Sequence, residues 1–389
     1  MSWEYVELKN ICQIKSGKRL PKGTGFSDIK TEFPYIRARD IKNGIINENE
    51  LVYLSEDVQK KIQKYIVNTG DIVITIAGSV GDVGYVKKSC NGFNLTENAV
   101  RLTEFDSRVN SKYLLYMLNS KKYWELMQQI AGGSAQPKLG IYKLESIPLA
   151  LPPTEIQNKI ADILSSYDNL VENNQKQIKL LEEVAQRLYK EWFVDLHFPG
   201  YEYVKIVDGM PEGWKIAPIN MVAKLKAGGD KPKTFSEKMT NENKIPVFAN
   251  GITEKGLMGF TDKAVINNPS VTISARGTVG VVFLRTEPYV PIVRLISVTP
   301  IDDKIDILYL YLYLVNQNFR STGAAQQQIT VPLLQRKNIV CPTDDVKKLF
   351  NDVITPIFNK IEILEKHINK LTESRDRLLP KLMSGEIEV

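Results

Sequence analysis

The 389 residues are more than twice the roughly 150 of a typical domain, so at least two domains are expected. With 43% hydrophobic and 25% charged residues, a disordered or fibrous chain is excluded. A formal charge of +6, from 51 Lys and Arg against 45 Asp and Glu, is too mild by itself to identify a nucleic-acid-binding protein.

No apolar run approaches the roughly 20 residues that span a bilayer. The start MSWEYVELKN has neither the basic residues nor the apolar stretch of a signal peptide, so a cytoplasmic protein is expected. Cys12, Cys90 and Cys341 lie far apart without a CxxC pair, and the only histidines are His197 and His367. Neither a disulfide framework nor a zinc site is expected from that set.

Along the chain, the first charged feature is the stretch from Lys9 to Lys22, which holds five basic residues and no acid. Within it Lys15, Lys18, Arg19 and Lys22 alternate with Gly17 and Pro21, a pattern that brings cations and backbone amides near phosphates. The competing reading is a solvated loop. Arg37 and Arg39 extend the candidate phosphate contacts, followed by a short alternating or apolar run, Asp71 to Ala77, that reads as a strand. The turn Gly78-Ser79-Val80-Gly81 closes it, with Ser79 a further candidate contact. Tyr113 to Leu118 reads as helix. Gln136 and Lys138 then offer side chains suited to base edges.

After Pro152-Pro153, apolar or small residues recur at Ile160, Leu164, Tyr167, Val171, Asn174, Ile178, Leu181, Ala185, Leu188 and Trp192. Spacings of four and three alternate with one polar interruption, Asn174, which is a heptad seam. A Pro/Gly-punctuated linker runs from Phe198 to Gly213, and there the chain begins again. Trp214 answers Trp3, and Lys226 to Lys233 answers Lys15 to Lys22, at an offset of 211. Ser274 to Gly280 answers Thr75 to Gly81 at 199, and Ala324-Ala-Gln326 with Pro342 answers Ser134-Ala-Gln136 with Pro152 at 190. The falling offset means the same unit with about 21 residues trimmed from loops. The second copy's candidate contacts are Lys226, Lys231, Lys233, Arg276, Thr278, Gln326 and Gln328. At the 190 offset the seam recurs from Phe350 to Leu382, with Arg375 as its polar interruption. Pro356 is expected to start a helix at its first turn or to kink it.

The expected fold is therefore α+β: two tandem mixed domains, each followed by a long helix, the helices pairing as an antiparallel coiled coil with pseudo-twofold symmetry. A 33-residue seam spans roughly 48 Å, comparable to some 14 base pairs.

Groups for catalysis are missing. The only Pro-Pro pair, in Leu151-Pro-Pro-Thr154, is not the Asn/Asp-Pro-Pro-aromatic loop of an adenine methyltransferase, and no GxxxxGK[ST] exists to cradle phosphates. Asp40-Ile-Lys42 and Asp345-Val-Lys347 supply only the short half of a nuclease pattern, and neither histidine has a partner in sequence.

In order and duplication, the Trp-led starts, the Gly-Ser/Thr-Val-Gly turns, and the apolar runs closed by Pro152 and Pro342 resemble specificity subunits of type I DNA restriction–modification enzymes. So do the helix ending Arg187-Leu-Tyr-Lys-Glu-Trp-Phe193 and the terminal Leu378-Leu-Pro-Lys-Leu-Met-Ser-Gly-Glu-Ile387. The resemblance covers essentially the whole chain. It implies a target-recognition domain at 1–153, a central helix at 154–197, a second recognition domain at 198–343 with its linker at 198–213, and a C-terminal helix at 344–389. It also implies a non-catalytic subunit whose domains each read half of a split double-stranded DNA target. The helices would set the spacing and dock two methyltransferase subunits. S-adenosylmethionine, ATP and Mg would sit on methyltransferase and restriction subunits, with no cofactor on this chain. The competing class is a cytosolic coiled-coil scaffold joining two protein-binding domains without touching DNA; a single-chain restriction enzyme is disfavoured by the missing motifs.

Overall fold

The computed structural model describes residues 3–132, 137–302, 304–319 and 328–389. Two units emerge: Met1–Asn174 with His367–Val389, and Gln175–Lys366. Each takes its globular part from one copy of the repeat, and the division falls inside both long helices, Thr154–Phe193 and Asp344–Ser384.

In the first unit a four-stranded antiparallel sheet has the order Gln13–Ser16, Ala99–Thr103, Ile72–Thr75, Val83–Tyr85. Side chains of a strand alternate between faces, and here each face meets its own core. Ile72 and Ile74 pack with Val100, Leu102 and the helix Ser111–Asn119, while Val73 and Ala99 pack with Ile36, Ile41 and Leu95. That is why the strand is buried along its whole length and reads as a continuous apolar run. The helix starts where Asn110 Oδ1 accepts from the backbone N–H groups of Lys112 and Tyr113, satisfying two orphan donors. A two-stranded antiparallel pair, Glu4–Glu7 with Pro148–Leu151, leads into the first long helix.

The second unit repeats this. Its sheet order is Ala223–Ala227, Leu295–Pro300, Ser270–Ser274, Val282–Arg285. Asp306 caps the helix Ile307–Val315 as Asn110 caps its counterpart, and Lys215–Pro218 pairs with Asn338–Cys341 before the second long helix. The repetition extends to single bonds. Tyr113 Oη donates to Ala150 O at 3.3 Å, and Tyr309 Oη to Val340 O at 2.6 Å.

Within each unit an early stretch of one long helix packs on a late stretch of the other, so the pairing is antiparallel. Ile160, Ala161 and Leu164 share a core with Leu382 in the first unit. In the second, Ala185, Tyr189, Trp192 and Phe193 share one with Val346, Phe350 and Ile354, the Trp192 and Phe350 ring centroids lying 5.5 Å apart. Each fully buried Leu or Ile stabilises by roughly 2 kcal/mol, enough for the seam to outweigh intrinsic helix propensity. Pro356 neither starts nor ends a helix: Asp344–Ser384 runs through it. Pro356 and Asp352 are both exposed, and proline there has no N–H to give the Asp352 carbonyl. Among the described residues no helix is long and apolar enough to cross a membrane.

Candidate nucleic-acid interface

Strand order gathers loops that are far apart in sequence. In the first sheet, the ends of Gln13–Ser16 and Ile72–Thr75 and the starts of Ala99–Thr103 and Val83–Tyr85 fall at one edge. Backbone bonds stitch the loops along it: Gly17 N–H donates to Ala99 O (3.1 Å), Lys18 N–H to Leu95 O (2.8 Å), Ile76 N–H to Asn98 O (2.8 Å) and Leu139 N–H to Ile76 O (2.9 Å). The second unit has the same row, through Gly228 N–H to Leu295 O (2.8 Å), Ala275 N–H to Arg294 O (2.7 Å) and Ile329 N–H to Ala275 O (3.0 Å). The loops that carry most of the candidate contacts therefore converge at one sheet end in each unit.

Glycine is required at the first crossing. A Cβ on Gly17 would stand 2.0 Å from Thr96 O, and one on Gly228 would stand 2.3 Å from Ile292 O, both backbone atoms. The repeated glycine thus answers a close chain approach. The turns closing the central hairpins need positive φ at Gly78 (81°) and Gly81 (85°), and at Gly277 (75°) and Gly280 (82°).

The individual side chains separate into groups. Lys18, Lys22 and Lys138 are exposed in the first unit and Lys226, Lys231 and Lys233 in the second, and among the described residues none of these makes an ion pair. Lys231 Nζ sits 3.4 Å from the Phe235 ring centroid, and Lys18 Nζ 5.5 Å from that of Tyr65. Arg19 is largely exposed but donates to Glu97 Oε1 at 2.6 Å, and that hydrogen bond and charge raise its pKa. Lys15 pairs with Glu104 across the sheet. The Arg37 guanidinium donates twice to the buried Asp40, at 2.8 and 2.9 Å, and once to Glu50 O, and the Arg37 backbone N–H also donates to Asp40 at 2.8 Å, while Arg39 stays exposed 3.9 Å from the same carboxylate. Ser79 lies exposed in its turn, with its carbonyl accepting from the Thr75 hydroxyl. Gln136 and Gln326 fall outside the described residues.

In the second unit, Arg276 Nη2 donates to Gln328 Oε1, so these two candidates meet at the exposed edge. Thr278 Oγ1 donates to Asn250 O, and Asn250 Nδ2 donates to Arg276 O at 2.7 Å. Asn250 thereby pins the Arg276 turn from outside the repeat motifs, and no sequence pattern marks it. Arg294, held at φ 74° beside Ala275, is a second cation of this edge that the sequence does not single out. At the repeat-equivalent place the first unit sets Lys138 against Ala77. One backbone frame thus presents different chemistry in the two units.

Away from this edge, Lys87 reaches Glu172 and Lys255 reaches Glu365, tying each globular part to a long helix. Cys12 and Cys90 are buried, their thiols pushed up to about 12 and about 11 by desolvation, which removes thiolate character. Among the described residues no group of three His, Cys, Asp or Glu is placed to hold a metal ion.

A family model described as the type I restriction modification DNA specificity domain matches residues 1–183 and 211–373, once per repeat. The chain belongs to this family and is a DNA specificity subunit. It is similar to the type I restriction enzyme MjaIX specificity subunit of Methanocaldococcus jannaschii, with 26% identity over all of this chain and 94% of the relative. A putative type I specificity subunit of Mycoplasma pneumoniae, S.MpnORF507P, is 25% identical over 96% of this chain and 97% of its own. The solved type I S subunit of M. genitalium shares the fold, with a TM-score of 0.59 at 18% identity over 98% of this chain and 96% of that one.

Proposed function

We propose that each unit of this subunit reads one half of a split double-stranded DNA target, through the loops gathered at its sheet edge. The observation that carries this is the shared frame with unlike contents: Arg276 and Gln328 in one unit, Ala77 and Lys138 at the matching place in the other. A common scaffold with different donors and acceptors is what two half-sites of different sequence require. Exposed Lys18, Lys22, Lys138, Lys226, Lys231 and Lys233 take phosphates and set register, while Arg276 and Gln328 take base edges. Residues 1–153 and 198–343 act as the recognition domains. Residues 154–197 and 344–389 set their spacing and dock two methyltransferase subunits, with restriction subunits joining the complex in the cytoplasm. Methyl transfer and ATP-driven cleavage, with their S-adenosylmethionine, ATP and Mg, belong to those partners, and this chain supplies the address.

Replacing residues 1–153 with the equivalent part of a relative, then sequencing the methylome of cells carrying the chimera with its methyltransferase, tests the reading. One half-site is expected to change while the other and the gap persist. Both half-sites changing together would refute modular reading.

A further inference from the structure

The two units differ at a place where the repeat would make them alike. In the first unit, Asp168 of the first long helix accepts from Tyr116 Oη at 2.5 Å through Oδ2, and from Arg375 Nη1 of the second long helix at 2.5 Å through Oδ1. Arg375 Nη2 also donates to its neighbour Asp376 at 2.7 Å. The Arg375 and Asp168 side chains are 25% and 36% exposed, so the pair is partly shielded from water. At the offset of 190 that relates the helices, Asp168 corresponds to Phe358 and Arg375 to Ala185. At the offset of 196 between the caps Asn110 and Asp306, Tyr116 corresponds to Leu312. Ala185 and Leu312 are buried in the second unit's core, Phe358 packs on it, and Tyr311 meets the Phe358 ring edge-on with centroids 5.7 Å apart. A polar trio in one unit is an apolar trio in the other.

We propose that these unlike trios form a pairing code: the first half of the chain accepts the second half as its helix partner and rejects a second copy of itself. Two first halves paired in the same register would set Asp168 against Ala185 twice, leaving Tyr116 as its only partner. Two second halves would aim Arg375 Nη1 at Phe358 and Leu312, leaving only Asp376. Either mispairing forfeits charge-assisted bonds and strands partly shielded charges, whereas the native pairing strands none. Over much of the seam the halves are alike, Ile160, Leu164, Val171 and Ile178 in one being matched by Phe350, Ile354, Ile361 and Ile368 in the other, whereas Asn174 against Leu364 and Trp192 against Leu382 are two further differences that the trio acts beside. A polar residue in an otherwise apolar seam is the usual means by which helices choose partners.

The code is tested on the whole chain, folded intact and then cut at a protease site inserted in the linker 198–213. The halves are separated in denaturant, diluted together and counted by native mass spectrometry. Mixed pairs are expected to exceed like pairs by about tenfold or more. The variant Tyr116→Leu/Asp168→Phe/Arg375→Ala, which writes the apolar trio into both units, is expected to approach statistical assortment. Statistical assortment by the unaltered chain, undiminished preference in the variant, or recovery of no pair at all would each overturn the code. In the uncut chain, Asp168→Ala and Arg375→Ala are expected to be coupled, the double variant unfolding no earlier than the worse single variant; additive losses would overturn it as well.

Discussion

Lys15 and Lys18 stand three residues apart in one basic stretch, yet Lys15 makes an ion pair and Lys18 makes none among the described residues. Lys15 points across the sheet to Glu104, 89 positions away, whereas Lys18 lies exposed near Tyr65. Sequence spacing reveals a cation but not what faces it, so Arg37, bound to Asp40, looked the same in the sequence as exposed Arg39. Asn250 escaped notice for the same reason: its role lies in two bonds to a turn 26 and 28 residues on. The repeated Gly17 and Gly228 were legible as a pattern, and the close backbone approach supplies its cause. If the sorting into free and committed cations is right, Lys18→Ala with Lys22→Ala should weaken binding of the assembled complex to every duplex and shallow its salt dependence by up to about two ion equivalents. Arg276→Ala should instead relax preference at one base pair, by roughly 1–3 kcal/mol of discrimination. Fluorescence anisotropy titrations over a salt series, on matched and single-mismatch duplexes, separate the two. A uniform loss for Arg276→Ala would return it to the phosphate group.

The elements were the most legible level, because burial leaves a period in the sequence. The strand Ile72–Thr75 appears as an apolar run since both faces are covered, its counterpart Ser270–Ser274 alternates because it buries Ser270, Thr272 and Ser274 on one face, and the long helices appear as heptads since one stripe is buried. Arg375 broke that period, and its reason, Asp168 with Tyr116, lies on two other elements. Of the two readings of Pro356, the helix start fails because Asp344–Ser384 runs through it, with Pro356 on an exposed position. What holds each globular part to its helix entry was hidden altogether: Tyr113 and Tyr309 each donate to the strand that precedes a long helix. Burial pushes the Tyr309 phenol well above its usual pKa, so it stays a neutral donor throughout the working range. Tyr309→Phe leaves Val340 O without that donor and should cost about 1–2 kcal/mol. For a unit of this size the unfolding midpoint should fall by roughly 2–4 °C per kcal/mol, read by calorimetry. No measurable shift would mean that water replaces the phenol and that the strand is held by packing alone.

At the scale of the whole molecule, if each copy of the repeat reads one half of a split target, something must fix the distance between the halves. The long helices, of 40 and 41 residues, are the elements both units share. At about 1.5 Å per residue each is roughly 60 Å long, enough to hold two half-sites apart across a segment that neither unit reads. Because the seam repeats every seven residues, removing 173–179 and the repeat-equivalent 363–369 preserves its phase. The deletion also removes Glu365 and its pair with Lys255, an exposed contact worth at most about 1 kcal/mol. Shortening both helices by one heptad takes away roughly 10 Å, or about three base pairs. If the helices space the units, the methylome of cells carrying the shortened chain with its methyltransferase should show both half-sites unchanged and the gap reduced by about that number. Methylation at the original gap would show that the DNA or the partner subunits fix the distance instead. Loss of assembly with the methyltransferase, in a protein that still melts cooperatively, would place the docking surface on the deleted turns.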